Sequence, residues 1–131
     1  MPAPRRTYSS GAPWEPIVGY ARAVRVGNHV HVSGTAAVDE RGDVVGLGDP
    51  AVQMRQCLRT AVAALEALGA AVRHVVRTRI YVVDIGDWEV IGRVHGEVFG
   101  DVRPATSMVQ VAALIQPDLL VEVEVEAIVS D

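Results

Sequence analysis

The segment "VEVEVEAIVSD" near the C-terminus constrains the fold more than any other stretch. Its strict alternation is the period of an extended strand, so Glu122, Glu124 and Glu126 share one side and Val121, Val123 and Val125 the other. Three valines in register demand a core on their side. Three carboxylates spaced by roughly 6.6 Å repel one another, so their side needs water, positive partners or chemistry.

Composition bounds what can surround that strand. The 131-residue chain has the length of one compact domain, residues 1–131, able to bury about 65–70% of its surface. Half of the residues are hydrophobic but only 5% are aromatic, so Val, Ala and Leu must make the core. The lone cysteine, Cys57, can form no internal disulfide and fits a reducing, cytoplasmic setting. No stretch nears the roughly 20 apolar residues of a membrane helix, and "MPAPRRTYSS" lacks the apolar run of a secretory signal. A net charge of −4 argues against a general nucleic-acid binder.

Residues 1–19 are rich in Pro, Gly and Ser and read as irregular, with an arm over 1–15. In "YARAVRVGNHVHVSG" two strand-like runs flank Gly27-Asn28, a hairpin dipeptide that sets Val26 opposite His29 and Arg22 opposite Ser33. Asp49-Pro50 predicts a helix start, and Met54, Leu58, Ala61, Leu65 and Leu68 form its buried stripe up to Gly69. "RTRIYVVD" reads as a strand with Thr78, Ile80 and Val82 on one face and Arg77, Arg79 and Tyr81 on the other. Asp87 is a candidate cap for a second helix, Trp88 to about Phe99, with Ile91, Val94 and Val98 inward. "TSMVQVAAL" and the glutamate strand close the chain.

The order ββ-α-β-α-ββ predicts an α+β fold, a mixed sheet with two helices packed on one face. The other face collects Arg22, His29, His31, Arg77, Arg79, Gln110 and the three glutamates, a surface suited to solvent or to neighbouring subunits. His29 and His31 alternate on one strand face but have no third ligand in view, so no metal is expected. Neither Cys57 nor Thr106-Ser107 has a recognisable catalytic partner.

Five segments resemble the Rid family, also called YjgF/YER057c/UK114, from about Pro16 to Val129. They are "GYARAVRVGN", "VHVSGTAAVD", "YVVDIGDWEVIGRVHGEVFG", "RPATSMVQVAAL" and "LLVEVEVEAIV", in the family's order and spacing. The resemblance implies a chorismate-mutase-like fold and a homotrimer with small-molecule clefts between subunits. It also implies hydrolysis of imines and enamines to keto compounds and ammonia, without cofactor. The residues it implies for the site are Glu124 to position or activate water, Tyr20 and Ser33-Gly34 as lining, and Thr106, Arg103 and Met108 near the fourth strand. Glu122, one pleat pair away, is the alternative to Glu124.

One departure stands out. Where the deaminases read Pro-Ala-Arg, this chain reads Pro104-Ala105-Thr106, and an asparagine common on the second helix is replaced by Gly92. Threonine offers one hydroxyl and no charge, so the bidentate carboxylate clamp is gone. Arg103 lies two residues away, roughly 6–7 Å along an extended chain, with Pro104 fixing the backbone between. Two functions follow: deamination of a reactive imine or enamine, or a non-catalytic trimer that binds a metabolite or partner in the same clefts.

Overall fold

In the computed structural model, which describes residues 4–130, the alternation of the last strand is realised in full. Val121, Val123 and Val125 are all but inaccessible, and the three glutamates project from the opposite face, half-buried. The elements are β1 (Arg5–Tyr8), α1 (Trp14–Val18), β2 (Ala23–Val26), β3 (His29–Ala36), α2 (Pro50–Ala67), β4 (Val75–Val82), α3 (Trp88–Phe99), β5 (Ala105–Gln110) and β6 (Val121–Ile128). The strands form one sheet in the order β1-β2-β3-β6-β4-β5. All neighbours run antiparallel except β4 and β5, which are parallel and joined through α3. The glutamate strand is therefore central, paired on both edges.

The hairpin has the expected register, Val26 opposite His29, and the Ser33 amide donates to the Arg22 carbonyl at 2.9 Å. Only Gly27 of its turn carries positive φ, at 59°, which is the II′ pattern rather than I′. The Asp49 carboxylate accepts from the Val52 amide at 3.1 Å and starts α2 as anticipated. Met54, Leu58, Ala61 and Leu65 of α2 and Ile91, Val94 and Phe99 of α3 pack with the inward residues of β3, β4 and β6. Cys57 belongs to this core; its thiol faces the Val121 carbonyl, and burial raises its pKa. The predicted α+β layer of two main helices on one sheet face is thus the observed one, and among the described residues it leaves the opposite face of the sheet without a helical cover.

Three details differ from the sequence reading. The irregular arm is ordered: β1 extends the sheet beyond β2, and α1 follows it. Its turn-forming residues are those that bind Glu15, whose carboxylate accepts from the Ser9 and Ser10 hydroxyls and the Ser10 and Ala12 amides. Asp87 makes no cap bond; a 3-10 turn over Ile85–Asp87 leads into α3, and Asp84 accepts from the Gly86 amide instead. Gln110 lies on the helix side, because the parallel register sets it beside Val82, and there it accepts from the Ile85 amide.

Candidate functional site

The hydrogen-bond register between β3 and β6 slips between Val32 and Thr35, a bulge at Ser33-Gly34. Bulges re-aim side chains, and here Ser33 and Gly34 together stand opposite Glu124, between the Val32–Val125 and Thr35–Val123 pairs. The Ser33 hydroxyl donates to the Ala21 carbonyl at 2.7 Å, and the Thr35 hydroxyl to the Ser33 carbonyl at 2.8 Å.

Arg22 locks the bulge from below. Only 5% exposed, its guanidinium donates to the Gly34 carbonyl at 2.7 Å, Thr35 Oγ1 at 3.2 Å, and the Tyr20 and Ser10 hydroxyls at 3.3 Å each. Glu15, 4% exposed, stands 3.8 Å away. Burial alone would raise the Glu15 pKa; the Ser10 and Ser9 hydrogen bonds and Arg22 outweigh it and bring it below the ordinary value. The N-terminal segment is thereby fastened over one end of the sheet.

Beside this fastening opens a cleft of about 1060 Å³. Tyr20, Ser33, Gly34, Glu122 and Glu124 line it, with Trp14 from α1 and Thr60 from α2. The three glutamates, alike in sequence, have three environments. Glu126 accepts from Arg79 at 2.7 Å, with His31 Nδ1 at 3.9 Å, and the Arg79 bond holds its pKa below the ordinary value. Glu124 accepts a hydrogen bond from the Tyr81 hydroxyl, which raises the tyrosine's pKa. Glu122 has no hydrogen-bond donor among the described residues; burial and then Glu124 push its pKa up, with Arg22 acting the other way.

Arg79 is directly opposite Glu124 in register yet reaches diagonally to Glu126, leaving Glu124 to the tyrosine. Gly34 faces Glu122 so closely that a Cβ there would collide with Oε2 and stand 3.0 Å from Cδ. Any larger residue at position 34 must displace that carboxyl.

Of the residues singled out from sequence, Tyr20, Ser33, Gly34 and Glu124 meet in this cleft. Thr106, Met108 and Arg103 do not. The β4–β5 register places Thr106 beside Thr78 and Met108 beside Ile80, on the helix side of the sheet. Thr106 Oγ1 is 2.8 Å from Thr78 Oγ1, which is 2.9 Å from His95 Nε2. Burial holds the His95 pKa below its ordinary value. Arg103 is exposed two residues before β5, in the left-handed region at φ 55°, with Nε 3.3 Å from the Gly100 carbonyl. Within one chain, Thr106 and Glu124 thus lie on opposite faces of the sheet.

Sequence reasoning missed the Arg22–Glu15 pair and the His95–Thr78–Thr106 chain. Each links residues whose proximity is tertiary, and neither has a spacing motif.

The chain matches the family model described as Endoribonuclease L-PSP over residues 10–129. It is 42% identical over 123 residues to an uncharacterized Streptomyces coelicolor protein, covering 93% of this chain and 90% of that one. It is 38% identical over 108 residues to the 3-aminoacrylate deaminase RutC of Acinetobacter baylyi, covering 82% of this chain and 85% of the relative. Among solved structures, a Mycobacterium tuberculosis member of the YjgF/YER057c/UK114 family superposes with a TM-score of 0.88 at 48% identity. That match covers 96% of this chain and 100% of the other.

Proposed function

The chain belongs to the Endoribonuclease L-PSP family, the YjgF/YER057c/UK114 or Rid group, and from that premise we propose that it hydrolyses a small imine or enamine to a carbonyl compound and ammonia. The observation that carries the reading is Glu124: it faces the cleft, and its partner is a tyrosine hydroxyl rather than a guanidinium. A carboxylate so held can accept a proton from water at the cleft side while Tyr81 fixes its rotamer. Tyr20 forms a wall, and the bulge at Ser33-Gly34 brings backbone close to a bound molecule. No step of imine hydrolysis calls for a cofactor, since water adds to an electrophilic carbon and nitrogen leaves protonated.

In this reading the working unit is a homotrimer. The glutamate face is open in one chain: the His31 side chain is 60% exposed and Val109 47%. Neighbouring sheets packed there would cover it, and where the β5 edge of one subunit met its neighbour, Thr106 and Met108 would line the next subunit's cleft. The chain's net charge of −4 favours a small electrophile over the phosphodiester that the family description suggests.

The test is ammonia release by purified protein supplied with 2-iminopropionate, 2-iminoglutarate or 3-aminoacrylate. Release that is lost in Glu124→Gln supports the reading. No release from any of the three, with calorimetric binding of an unreactive keto acid, would favour the second reading, a non-catalytic trimer that binds metabolites in the same clefts. Thr106 is what favours that reading: an uncharged hydroxyl already bonded to Thr78 stands where a carboxylate clamp is expected.

A further inference from the structure

The cleft holds a second carboxylate that the reading above leaves idle. Glu122 is two residues from Glu124 on the same face of β6, so the two side chains originate roughly 6.6 Å apart. Both line the cleft. Glu126 has Arg79 and Glu124 has Tyr81, whereas Glu122 has no hydrogen-bond donor among the described residues. It is half-buried, and its carboxyl lies over Gly34, where the missing side chain leaves it room. A half-buried carboxyl without a donor is disfavoured as an anion, and the second carboxylate on the same face adds to that.

The charged and titratable groups around it are few. Arg22 approaches from the β3 side, but its donors already face Gly34, Thr35, Tyr20 and Ser10. Tyr81 is the register partner on β4, and Cys57 of α2 lies behind the sheet. Asp39, Glu40, Arg41 and Arg59 also line the cleft, with charges of both signs. Two carboxylates in one cleft whose surroundings differ in this way suit an acid–base pair, because the donor-poor one, Glu122, is the one disfavoured as an anion.

We propose that Glu122 is the proton donor to the substrate nitrogen, working opposite Glu124 in a two-proton exchange. This rests on the imine-hydrolysis reading and adds a residue to it. In the first step the water oxygen bonds to the imine carbon, a water proton passes to the Glu124 carboxylate, and the C=N π pair takes the Glu122 proton. The product is a neutral carbinolamine, with Glu122 now a carboxylate and Glu124 an acid. The Glu124 proton then returns to Glu122 through water in the cleft. In the second step Glu122 protonates the nitrogen, Glu124 takes the carbinolamine hydroxyl proton, the C–N bond breaks and C=O forms, after which the same return resets the pair. Ammonia and the carbonyl compound leave, and both carboxyls return to their starting states. The assignment also orients the substrate, placing its nitrogen towards Gly34 and Glu122 and its attacked carbon nearer Glu124.

The experiment is a pH–rate series on wild type, Glu122→Gln, Glu124→Gln and Glu126→Gln with 2-iminopropionate, alongside a 13C titration of the wild-type glutamate carboxyls. A donor that must be protonated gives a rate that falls as pH rises through its pKa. Wild-type kcat/KM should therefore show an alkaline limb whose midpoint matches the Glu122 carboxyl, itself titrating above Glu126. Glu122→Gln should lose about 10²-fold or more in kcat and lose that limb, while Glu126→Gln keeps it. Wild-type rate and profile in Glu122→Gln would overturn the proposal. So would an alkaline limb that survives the change, or one that does not match the Glu122 titration; this last comparison needs only wild-type protein. If wild type releases no ammonia from any imine, the hydrolytic reading itself fails and this assignment falls with it.

Discussion

Replacing Arg22 with methionine isolates what the N-terminal fastening is worth. Methionine retains most of the aliphatic stem and removes every donor. The loss falls on the Gly34 carbonyl, bonded at 2.7 Å, and on the weaker contacts to Thr35, Tyr20 and Ser10. A hydrogen bond from a charged donor is worth about 1.5–3 kcal/mol, and breaking a buried ion pair from one side costs about 3–5 kcal/mol. The lower end applies here, because Glu15 keeps four donors from Ser9, Ser10 and Ala12 when Arg22 is gone. A net cost of about 3 kcal/mol is expected. With an unfolding entropy of about 2.1 cal/mol/K per residue over 131 residues, this lowers Tm by about 10 °C.

The assay is thermal circular dichroism at one fixed chain concentration, since any self-association makes Tm concentration-dependent. Glu15→Gln and the double variant complete a cycle, with a coupling of about 1–2 kcal/mol expected. The acid side supplies a second check. The Glu15 pKa is lowered on folding, so its stabilisation is present above the unfolded value near 4.5 and is lost as pH falls through the folded value. Arg22→Met should therefore differ less from wild type at pH 3 than at pH 7. A Tm within about 2 °C of wild type at pH 7 would refute the claim that Arg22 fastens the segment.

Light scattering should give about 42 kDa, three chains of 14.0 kDa, at low micromolar concentration; a mass near one chain would remove the intersubunit cleft. Thr106→Arg should raise turnover of carboxylate-bearing imines by about one to two decades, the value of a charge-assisted contact of 1.5–3 kcal/mol, as read by ammonia release. Arg79→Met should shift the urea midpoint only slightly at pH 7, because the Arg79–Glu126 pair is partly solvent-exposed and screened. That shift should fade below about pH 4.5, as Glu126, whose folded pKa is lowered, becomes protonated.

Period and punctuation in the sequence carried the layer structure. Alternation in β6 and β4, the Asp49-Pro50 start and the Gly27-Asn28 turn each act over a few residues, and each is realised as read. The N-terminal segment was illegible for a definite reason. Pro, Gly and Ser signal absence of regular local structure, but here Ser9 and Ser10 are ligands for a buried carboxylate whose counter-charge, Arg22, comes from another element. The glutamate row shows the same limit within a single strand. Alternation places three carboxylates on one face, while their separate roles depend on the diagonal reach of Arg79, the hydroxyl of Tyr81 and the absent side chain at Gly34. Residues drawn together by family resemblance fell into two groups, because the parallel pairing of β5 fixes which of its faces is inward.

That division yields a test of the assembly that needs no structure of the trimer. Thr106 and Glu124 project from opposite faces of one sheet, so a site using both must take them from different subunits. In a closed ring with head-to-tail contacts, each cleft then has one subunit's glutamate strand and its neighbour's β5 edge. Glu124→Gln disables the first contribution, and Thr106→Trp should block the second by bulk at an exposed position. Each variant alone is expected to be inactive. Unfolded together in equal amounts and refolded, they should form mixed trimers if the proposed assembly holds, and a cleft is then intact when its glutamate comes from one variant and its edge from the other. Random mixing makes about one cleft in four intact, so about a quarter of wild-type ammonia release should return. Two inactive variants that regain nothing on mixing, while light scattering shows mixed trimers of the expected mass, would refute a cleft shared between subunits; a Thr106→Trp that keeps wild-type activity would exclude Thr106 from the site.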